Sequence, residues 1–312
     1  MMRALAVDPA TQSSRIVDVP VPKPKPGQIL VEVTVAGINE MDVEVRAGGW
    51  AAQVKRFRRD GPVLTGFEFA GIARTSGKRV RAGQRVMGYS PVLNGPRVHA
   101  QLAAVPESSI LAIPDSLSDE SAAALCVMGL TAVEVLERLC PLSPAQSCLV
   151  IGAAGGFGVY AVQLAASRGA RVTAVASAAN ESWVRAQGAQ EFRAYETAPA
   201  LQPGDAYDLL IDTPAHLSFR AAASSLSRSG MYVSSNPTSD LAGLARSSIS
   251  CRRAGFLMML KTSPSRLTRL ADLAENGTLR AAIDSVFDIA EADKAFDRFA
   301  TRGKQGRVLL RI

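Results

Sequence analysis

Histidine and cysteine are scarce in this 312-residue chain, and their scarcity bounds its chemistry first. His99 and His216 are its only histidines, and its four cysteines (Cys126, Cys140, Cys148 and Cys251) show no CxxC spacing. A catalytic zinc site takes three N, S or O side chains. No credible set is present, so a metal site and Lewis-acid activation of an alcohol are not expected. The cysteines lie in apolar or helical contexts and read as reduced thiols of a cytoplasmic protein. No apolar run is long enough to span a bilayer, so no membrane partner is expected. The opening Met1-Met2-Arg3-Ala4-Leu5-Ala6-Val7-Asp8 meets charge too soon for a secretory signal. Internal repeats and low-complexity tracts are absent.

The chain is 47% hydrophobic and long enough for two domains. Its net charge of +7 comes from 35 Lys and Arg against 28 Asp and Glu. These charges are mostly scattered, which favours a soluble basic enzyme over a nucleic-acid binder.

The stretch LVIGAAGGFGVYAVQLAASRGARVTAVAS, residues 149–177, organises the rest. Leu149, Val150 and Ile151 form a short apolar run, as in a strand buried on both faces. Gly152, Gly155, Gly156 and Gly158 follow. Val159, Val162 and Ala166 then recur at helical spacing, Arg168 suits a helix C-terminus and Gly169 stops the helix. Val172 to Ala176 is a second apolar run, completing a βαβ unit. Ala153, Gly155 and Gly158 occupy the three positions of the dinucleotide fingerprint, with Ala for the first Gly. Gly155 permits close approach of a pyrophosphate, Gly158 close packing of helix on strand, and the helix N-terminus offers unpaired N–H groups. The remaining reading is a glycine turn that only closes a sheet.

That fold ordinarily carries an acid at the end of the second strand for the ribose hydroxyls of NAD. Here the residues are Ala176, Ser177, Ala178, Ala179 and Asn180, with no carboxylate before Glu181. A site without the acid does not repel a 2′-phosphate, and Ser177 and Asn180 can hydrogen-bond one. NADP(H) is favoured over NAD(H), although no arginine directly follows the strand.

The first hundred residues read as β-rich. Arg3 to Val7 and Ile29 to Val35 are strands, separated by an extended connector with Pro20, Pro22, Pro24, Pro26 and Gly27. Shorter strands follow at Phe69 to Ala73 and Arg85 to Gly88, the pattern of a small irregular barrel. Ser118, followed by Asp119 and Glu120, starts a helix. Beyond residue 177 the order is strand Asp208 to Asp212, helix Ser218 to Leu226, strand Gly230 to Ser235, an apolar run from Gly255 to Leu260, a helix marked by Leu267, Leu270, Ala271 and Ala274, a helix from Glu291 to Phe299, and a strand from Val308 to Ile312. The expected class is α/β, a doubly wound parallel sheet inserted between two parts of a β-domain.

Five motifs carry a resemblance: Ala36-Gly37-Ile38-Asn39-Glu40-Met41-Asp42, Thr65-Gly66-Phe67-Glu68-Phe69-Ala70-Gly71, Gly129-Leu130-Thr131-Ala132, the glycine turn at 152–158, and Gly306-Arg307-Val308-Leu309-Leu310. In this order they cover the chain, which resembles the zinc-free medium-chain dehydrogenases/reductases of the quinone oxidoreductase branch. The resemblance implies a GroES-like catalytic domain begun by residues 1–117, a Rossmann domain at 118–257, a return segment at 258–312, a cleft between the domains and a homodimer paired near Phe256 to Leu260. Zinc-dependent relatives place Cys and His where this chain has Ile38 or Asn39 and Phe67, and their structural zinc lobe needs four closely spaced cysteines.

The chemistry so implied is hydride transfer from NADP(H) to an activated C=C bond or a quinone, with a donor stabilising the developing enolate oxygen. Asn39 is the candidate for orienting the nicotinamide ribose or the substrate carbonyl; the alternative is a turn-forming Asn. Asp42 sits near the same cleft, and there a turn-capping role is the simpler reading. Thr131 is a candidate cofactor contact or a plain helix residue. The resemblance puts Ser177 and Tyr195 beside the 2′-phosphate, within reach of Arg302. Asn180 stands where relatives often have Lys. With Ala153, Gly155, Gly156, Phe157 and Gly158 these make up the cofactor set. Ser234, Ser235 and Asn236 end a strand, where they bind ligand or cap a loop. Relatives often carry a Tyr shortly after the first motif; here Trp50 stands nearby, a hydrogen-bond donor that delivers no proton. Protonation then falls to water, or to Tyr89 if its loop turns inward. Lys55, Arg56, Arg58 and Arg59 form a solvated basic loop or an anion handle for coenzyme A or an acidic carrier protein. The handle would suit a trans-acting enoyl-thioester reductase. A nucleotide-binding protein without turnover, with RNA affinity, is the alternative of another class.

Overall fold

The computed structural model describes residues 1–49, 61–91, 97–235, 240–256 and 263–312. β1 (Met2–Asp8) and β2 (Ser13–Val19) form an antiparallel pair. The proline-rich connector then leads through Gly27, at φ +79°, into the long β3 (Gln28–Gly37). α1 (Glu40–Arg46) follows directly, and β4 (Val63–Leu64) returns to the far side of β1. β5 (Glu68–Ala73), β6 (Arg85–Tyr89), β7 (Leu102–Pro106) and β8 (Ile110–Ala112) complete the first β-rich part.

α2 (Asp119–Val133) begins where Ser118 Oγ accepts the Ser121 N–H at 3.1 Å, and it continues as a π-helical segment to Leu139. From β9 (Ser147–Ile151) the chain alternates through α3 (Gly158–Ser167), β10 (Arg171–Ala176), α4 (Glu181–Ala186), β11 (Glu191–Ala194), β12 (Tyr207–Asp212), α5 (Phe219–Ala223), β13 (Leu226–Ser234), α6 (Leu241–Ser247) and β14 (Arg253–Phe256). α7 (Pro264–Glu275), β15 (Ile283–Asp288), α8 (Ala292–Ala300) and β16 (Arg307–Arg311) finish it.

β9 to β14 form one all-parallel sheet in the order β11-β10-β9-β12-β13-β14. Counted from β9, this is the 3-2-1-4-5-6 order of the Rossmann fold. β15 and β16 do not extend it. They join the other large sheet, β15-β16-β3-β5-β6-β8, in which β7 also pairs with β3. The chain thus leaves the β-domain after β8, builds the parallel sheet, and returns to lay β16 against β3, with Leu310 opposite Ala36. Leu149, Val150, Val172 and Ala174 are at most 1% exposed, as a strand pair covered on both faces requires.

One expected helix is shorter than its pattern. The Ser218 to Leu226 helix ends at Ala223, because Leu226 pairs in register with Tyr207 and opens β13 four residues ahead of the expected Gly230. No helix among the described residues is long and apolar enough to cross a membrane.

Candidate active site

The strand order reverses between β9 and β12, so the crevice outside their carboxyl ends is where this fold takes ligands. The glycine turn occupies that crevice. Gly152 takes φ +78°, and its carbonyl accepts the Gly155 N–H at 2.9 Å. A Cβ on Gly158 would stand 2.8 Å from Ala153 Cα, so only glycine lets α3 start this close to the turn. A Cβ on Gly155 would instead meet nothing but the Gly152 carbonyl oxygen, at 3.2 Å, leaving its outer face open to a ligand. Gly156 faces the other way. Its Cβ would lie 2.9 Å from Arg307 Nη1, on a strand of the other sheet. Ala153 and Phe157 are buried beneath the turn, and Phe157 ends the turn without a side-chain cap on α3.

Ser177, at the end of β10, is 8% exposed, and its Oγ is buried with no hydrogen-bond partner among the described residues. Such an atom is costly unless a ligand or water completes it. Tyr195 follows β11, its N–H on the Ala176 carbonyl at 3.1 Å, and Arg302 holds its guanidinium 5.8 Å from the tyrosine ring centroid. Ser177, Tyr195 and Arg302 thus cluster at the carboxyl ends of β10 and β11. Asn180 stands beside Ser177, its N–H donating to the Ser177 carbonyl at 2.9 Å. Its amide donates to the Lys304 carbonyl at 3.3 Å and accepts from Gln305 Nε2 at 3.0 Å, and the residue is 4% exposed. It ties α4 to the return segment.

Asn39 sits where β3 passes into α1, 4% exposed, with both ends of its carboxamide engaged. Nδ2 donates to Glu68 Oε1 at 2.9 Å, and Oδ1 accepts from Arg307 Nη2 at 3.0 Å. Arg307 also pairs with Glu68 Oε1, and Glu68 Oε2 accepts the Val127 N–H at 2.7 Å. Glu68 is fully buried and Arg307 nearly so. Burial raises the Glu68 carboxyl above the ordinary carboxylate value, against the pull of Arg307, the Val127 N–H and Asn39. The Asn39 N–H donates to Asp42 Oδ2 at 2.9 Å, and the Gly66 N–H to Asp42 Oδ1 at 2.6 Å. Asp42 therefore caps two segments at once, deep in the protein.

Glu68 and Arg307 are the residues sequence reasoning passed over. Both lie inside quoted motifs, but nothing local marks them as partners, since 239 positions separate them. Tyr89 is not on a loop. It closes β6 opposite Glu68, 5% exposed and packed into the core that includes α2, a placement that corrects its expected inward-turning loop. Thr131 is buried and donates its hydroxyl to the Val127 carbonyl at 2.7 Å, a helix-internal bond. Ser234 is buried at the end of β13 opposite Asp212, and Ser235 Oγ donates to the Thr213 carbonyl at 2.7 Å. Trp50, the basic group Lys55 to Arg59, Asn236 and residues 257–260 of the expected dimer edge lie outside the described residues.

Among the described residues no group of three or more His, Cys, Asp or Glu side chains is placed to hold a metal ion. The buried Asp42, Glu68 and His99 each have both polar side-chain atoms hydrogen-bonded within the protein. These residues do not fit a metal centre. The turn does fit a dinucleotide, with Gly155 open, the Arg307 guanidinium beside Gly156 and the Ser177 hydroxyl without a partner among the described residues.

The alcohol dehydrogenase GroES-like domain model matches residues 25–115, and the zinc-binding dehydrogenase model matches 187–310. The chloroplastic quinone-oxidoreductase QR1 of Triphysaria versicolor is 26% identical, over 94% of this chain and 92% of the relative. Trans-enoyl reductase pgmF of Aspergillus terreus is 25% identical, over 92% and 87%. The quinone oxidoreductase of Coxiella burnetii superposes with a TM-score of 0.88 at 25% identity, covering 100% of this chain and 99% of that one. Fold, turn and relatives agree: the chain belongs to the medium-chain dehydrogenase/reductase superfamily of oxidoreductases, in its quinone oxidoreductase-like branch.

Proposed function

We propose that this protein reduces an α,β-unsaturated carbonyl compound or a quinone at the expense of NADPH. The observation that carries the reading is the Arg307 guanidinium, which lies against Gly156 of the dinucleotide turn and at the same time fixes the Asn39 carboxamide. Bound NADPH supplies a hydride; the chain supplies position and charge. Gly155 and the start of α3 receive the pyrophosphate, with Arg307 adjacent. Ser177, Tyr195 and Arg302 receive the 2′-phosphate, on the strength of the unpartnered Ser177 hydroxyl and the exposed guanidinium. Asn39 keeps one amide hydrogen and one oxygen lone pair beyond its bonds to Glu68 and Arg307. These orient the nicotinamide ribose or donate to the substrate carbonyl oxygen as negative charge grows there. Water supplies the proton that completes the product.

The test is NADPH oxidation followed by absorbance, with a quinone, a simple enone and an enoyl thioester as acceptors and NADH as the control. Turnover on one acceptor class, faster with NADPH and reduced about 10–100-fold in Asn39→Ala, is expected. NADPH binding without turnover on any acceptor, or an unchanged Asn39→Ala, refutes the reading. The likeness to a trans-enoyl reductase favours the enoyl thioester as the second substrate class.

A further inference from the structure

Beneath Asn39 lies a closed ring of buried hydrogen bonds that the proposed chemistry does not use directly. His99 is 0% exposed and reaches two segments at once. Its Nε2 lies 3.1 Å from the Gly37 carbonyl oxygen, an acceptor only, so Nε2 carries the proton. Its Nδ1 then accepts from the Thr65 hydroxyl at 2.8 Å. Thr65 is followed by Gly66, whose N–H donates to Asp42 Oδ1, and Asp42 Oδ2 accepts the Asn39 N–H. Gly37 and Asn39 flank Ile38, itself fully buried, and so the ring closes.

Two features set this ring apart from an ordinary satisfied core histidine. A separate cluster of the barrel is apolar, with Ile29, Val31, Val33, Phe69, Val86 and Val105 packed together. Asn39, Asp42, Thr65, Glu68 and His99 are instead buried together around the turn that presents Asn39, each hydrogen-bonded, as burial of polar groups requires. The backbone is also shaped for the histidine. Gly66 takes φ +97°, and a Cβ there would stand 2.6 Å from His99 Cδ2, so glycine lets the Thr65 segment lie against the imidazole. The His99 N–H on the Thr65 carbonyl, at 3.2 Å, and the Leu5 N–H on the His99 carbonyl, at 2.8 Å, hold the histidine backbone.

We propose that His99 is a positioning residue for Asn39: by holding the Gly37 carbonyl and the Thr65 hydroxyl it sets the backbone from which the Asn39 carboxamide reaches the bound nicotinamide half. Glu68 and Arg307 orient the carboxamide, while His99 and Asp42 fix where it starts. This rests on the role given to Asn39 under the proposed function.

The experiment compares His99→Gln, His99→Met and Thr65→Val, each alone and combined with Asn39→Ala. The readouts are the NADPH dissociation constant, by quenching or enhancement of cofactor fluorescence, and kcat/KM for the acceptor that turns over. Gln and Met fill similar space, but only Gln returns a donor to the Gly37 carbonyl. His99→Met is expected to lose about 10-fold in the parameter that Asn39→Ala impairs, His99→Gln about 3-fold or less, and His99→Met in the Asn39→Ala background no more than 2-fold further. Non-additivity of this kind marks residues acting through one another. Equal losses in Gln and Met, or a full 10-fold loss that persists without Asn39, overturn the proposal. If His99→Met does not fold, Thr65→Val decides. A loss confined to the Asn39 background supports the proposal, and no loss overturns it. An Asn39→Ala protein that is itself unimpaired refutes the underlying reading, a result distinct from additivity in a protein where Asn39 matters.

Discussion

Arg307 Nη2 donates to Asn39 Oδ1 at 3.0 Å across 268 positions of chain. The same guanidinium pairs with the fully buried Glu68 and lies against Gly156. Removing it leaves a buried carboxylate without its counter-charge, at about 3–5 kcal/mol. Arg307→Met is therefore expected to lower the urea unfolding free energy by about that amount. The double variant Arg307→Met/Glu68→Gln should recover part of it, because neither partner is then left charged and alone. A loss below about 1 kcal/mol in Arg307→Met would contradict this account.

The glycines of the turn should separate folding from binding. Gly155→Ala adds a methyl whose one near neighbour is the Gly152 carbonyl oxygen, at 3.2 Å, so its thermal unfolding temperature should fall only slightly while NADPH affinity falls about 10-fold or more, through blocked approach to the pyrophosphate. Gly158→Ala drives a methyl into the backbone of Gly152 and Ala153 and should destabilise the fold by about 1–3 kcal/mol. Calorimetry and a cofactor titration on both variants check the contrast, and equal behaviour of the two would rule it out.

Ser177 should decide between the two nicotinamide dinucleotides. Its buried hydroxyl has no partner among the described residues. Ser177→Ala is expected to weaken NADPH binding about 10–100-fold, the worth of roughly one hydrogen bond to a charged group, with little change for NADH. Ser177→Asp should reverse the preference by repelling the 2′-phosphate and accepting from ribose hydroxyls. Fluorescence titrations with both cofactors test this; an equal effect on both would place the 2′-phosphate elsewhere.

Acid should act on the ring through His99. Burial holds its pKa below the ordinary 6.5. The unfolded chain then binds more protons just below pH 6.5, and stability falls as pH drops through 6.5 toward the folded value; above 6.5 the contribution is complete. Asp42 and Glu68 are raised by burial above 3.8 and 4.5, and they oppose this, gaining stability as pH falls through their folded values. The stability difference between the parent and His99→Gln removes their common part. That difference should shrink by at most about 1.4 kcal/mol per pH unit below 6.5. Urea unfolding at pH 7.5, 6.5 and 5.5 measures it, and a constant difference would show that His99 does not titrate on unfolding.

What the sequence reveals here is what is local. The glycine turn has its strand, helix and second strand within thirty positions, and each element follows from periodicity and capping alone. Ser177 is legible because it directly follows a strand, and Asn39 because it lies in the motif just beyond β3. Glu68 and Arg307 are not, because a buried ion pair across the molecule leaves no pattern in either segment. Asn180 is a further case: its bond to Gln305, from a segment that returns 125 positions later, is not legible in the residues around it. The placement of β16 likewise depends on a pairing with β3 that the apolar run at Val308 to Ile312 does not specify.

Four consecutive residues of the return segment join the two sheets beside the crevice. Lys304 and Gln305 bond Asn180, Gly306 pairs with Gly155 and donates to the Ala154 carbonyl at 2.9 Å, and Arg307 lies on Gly156. This one strap reaches the glycine turn through Gly306 and Arg307 and the Asn39 carboxamide through the same Arg307, so turn and carboxamide are held to a single reference even though they belong to different sheets.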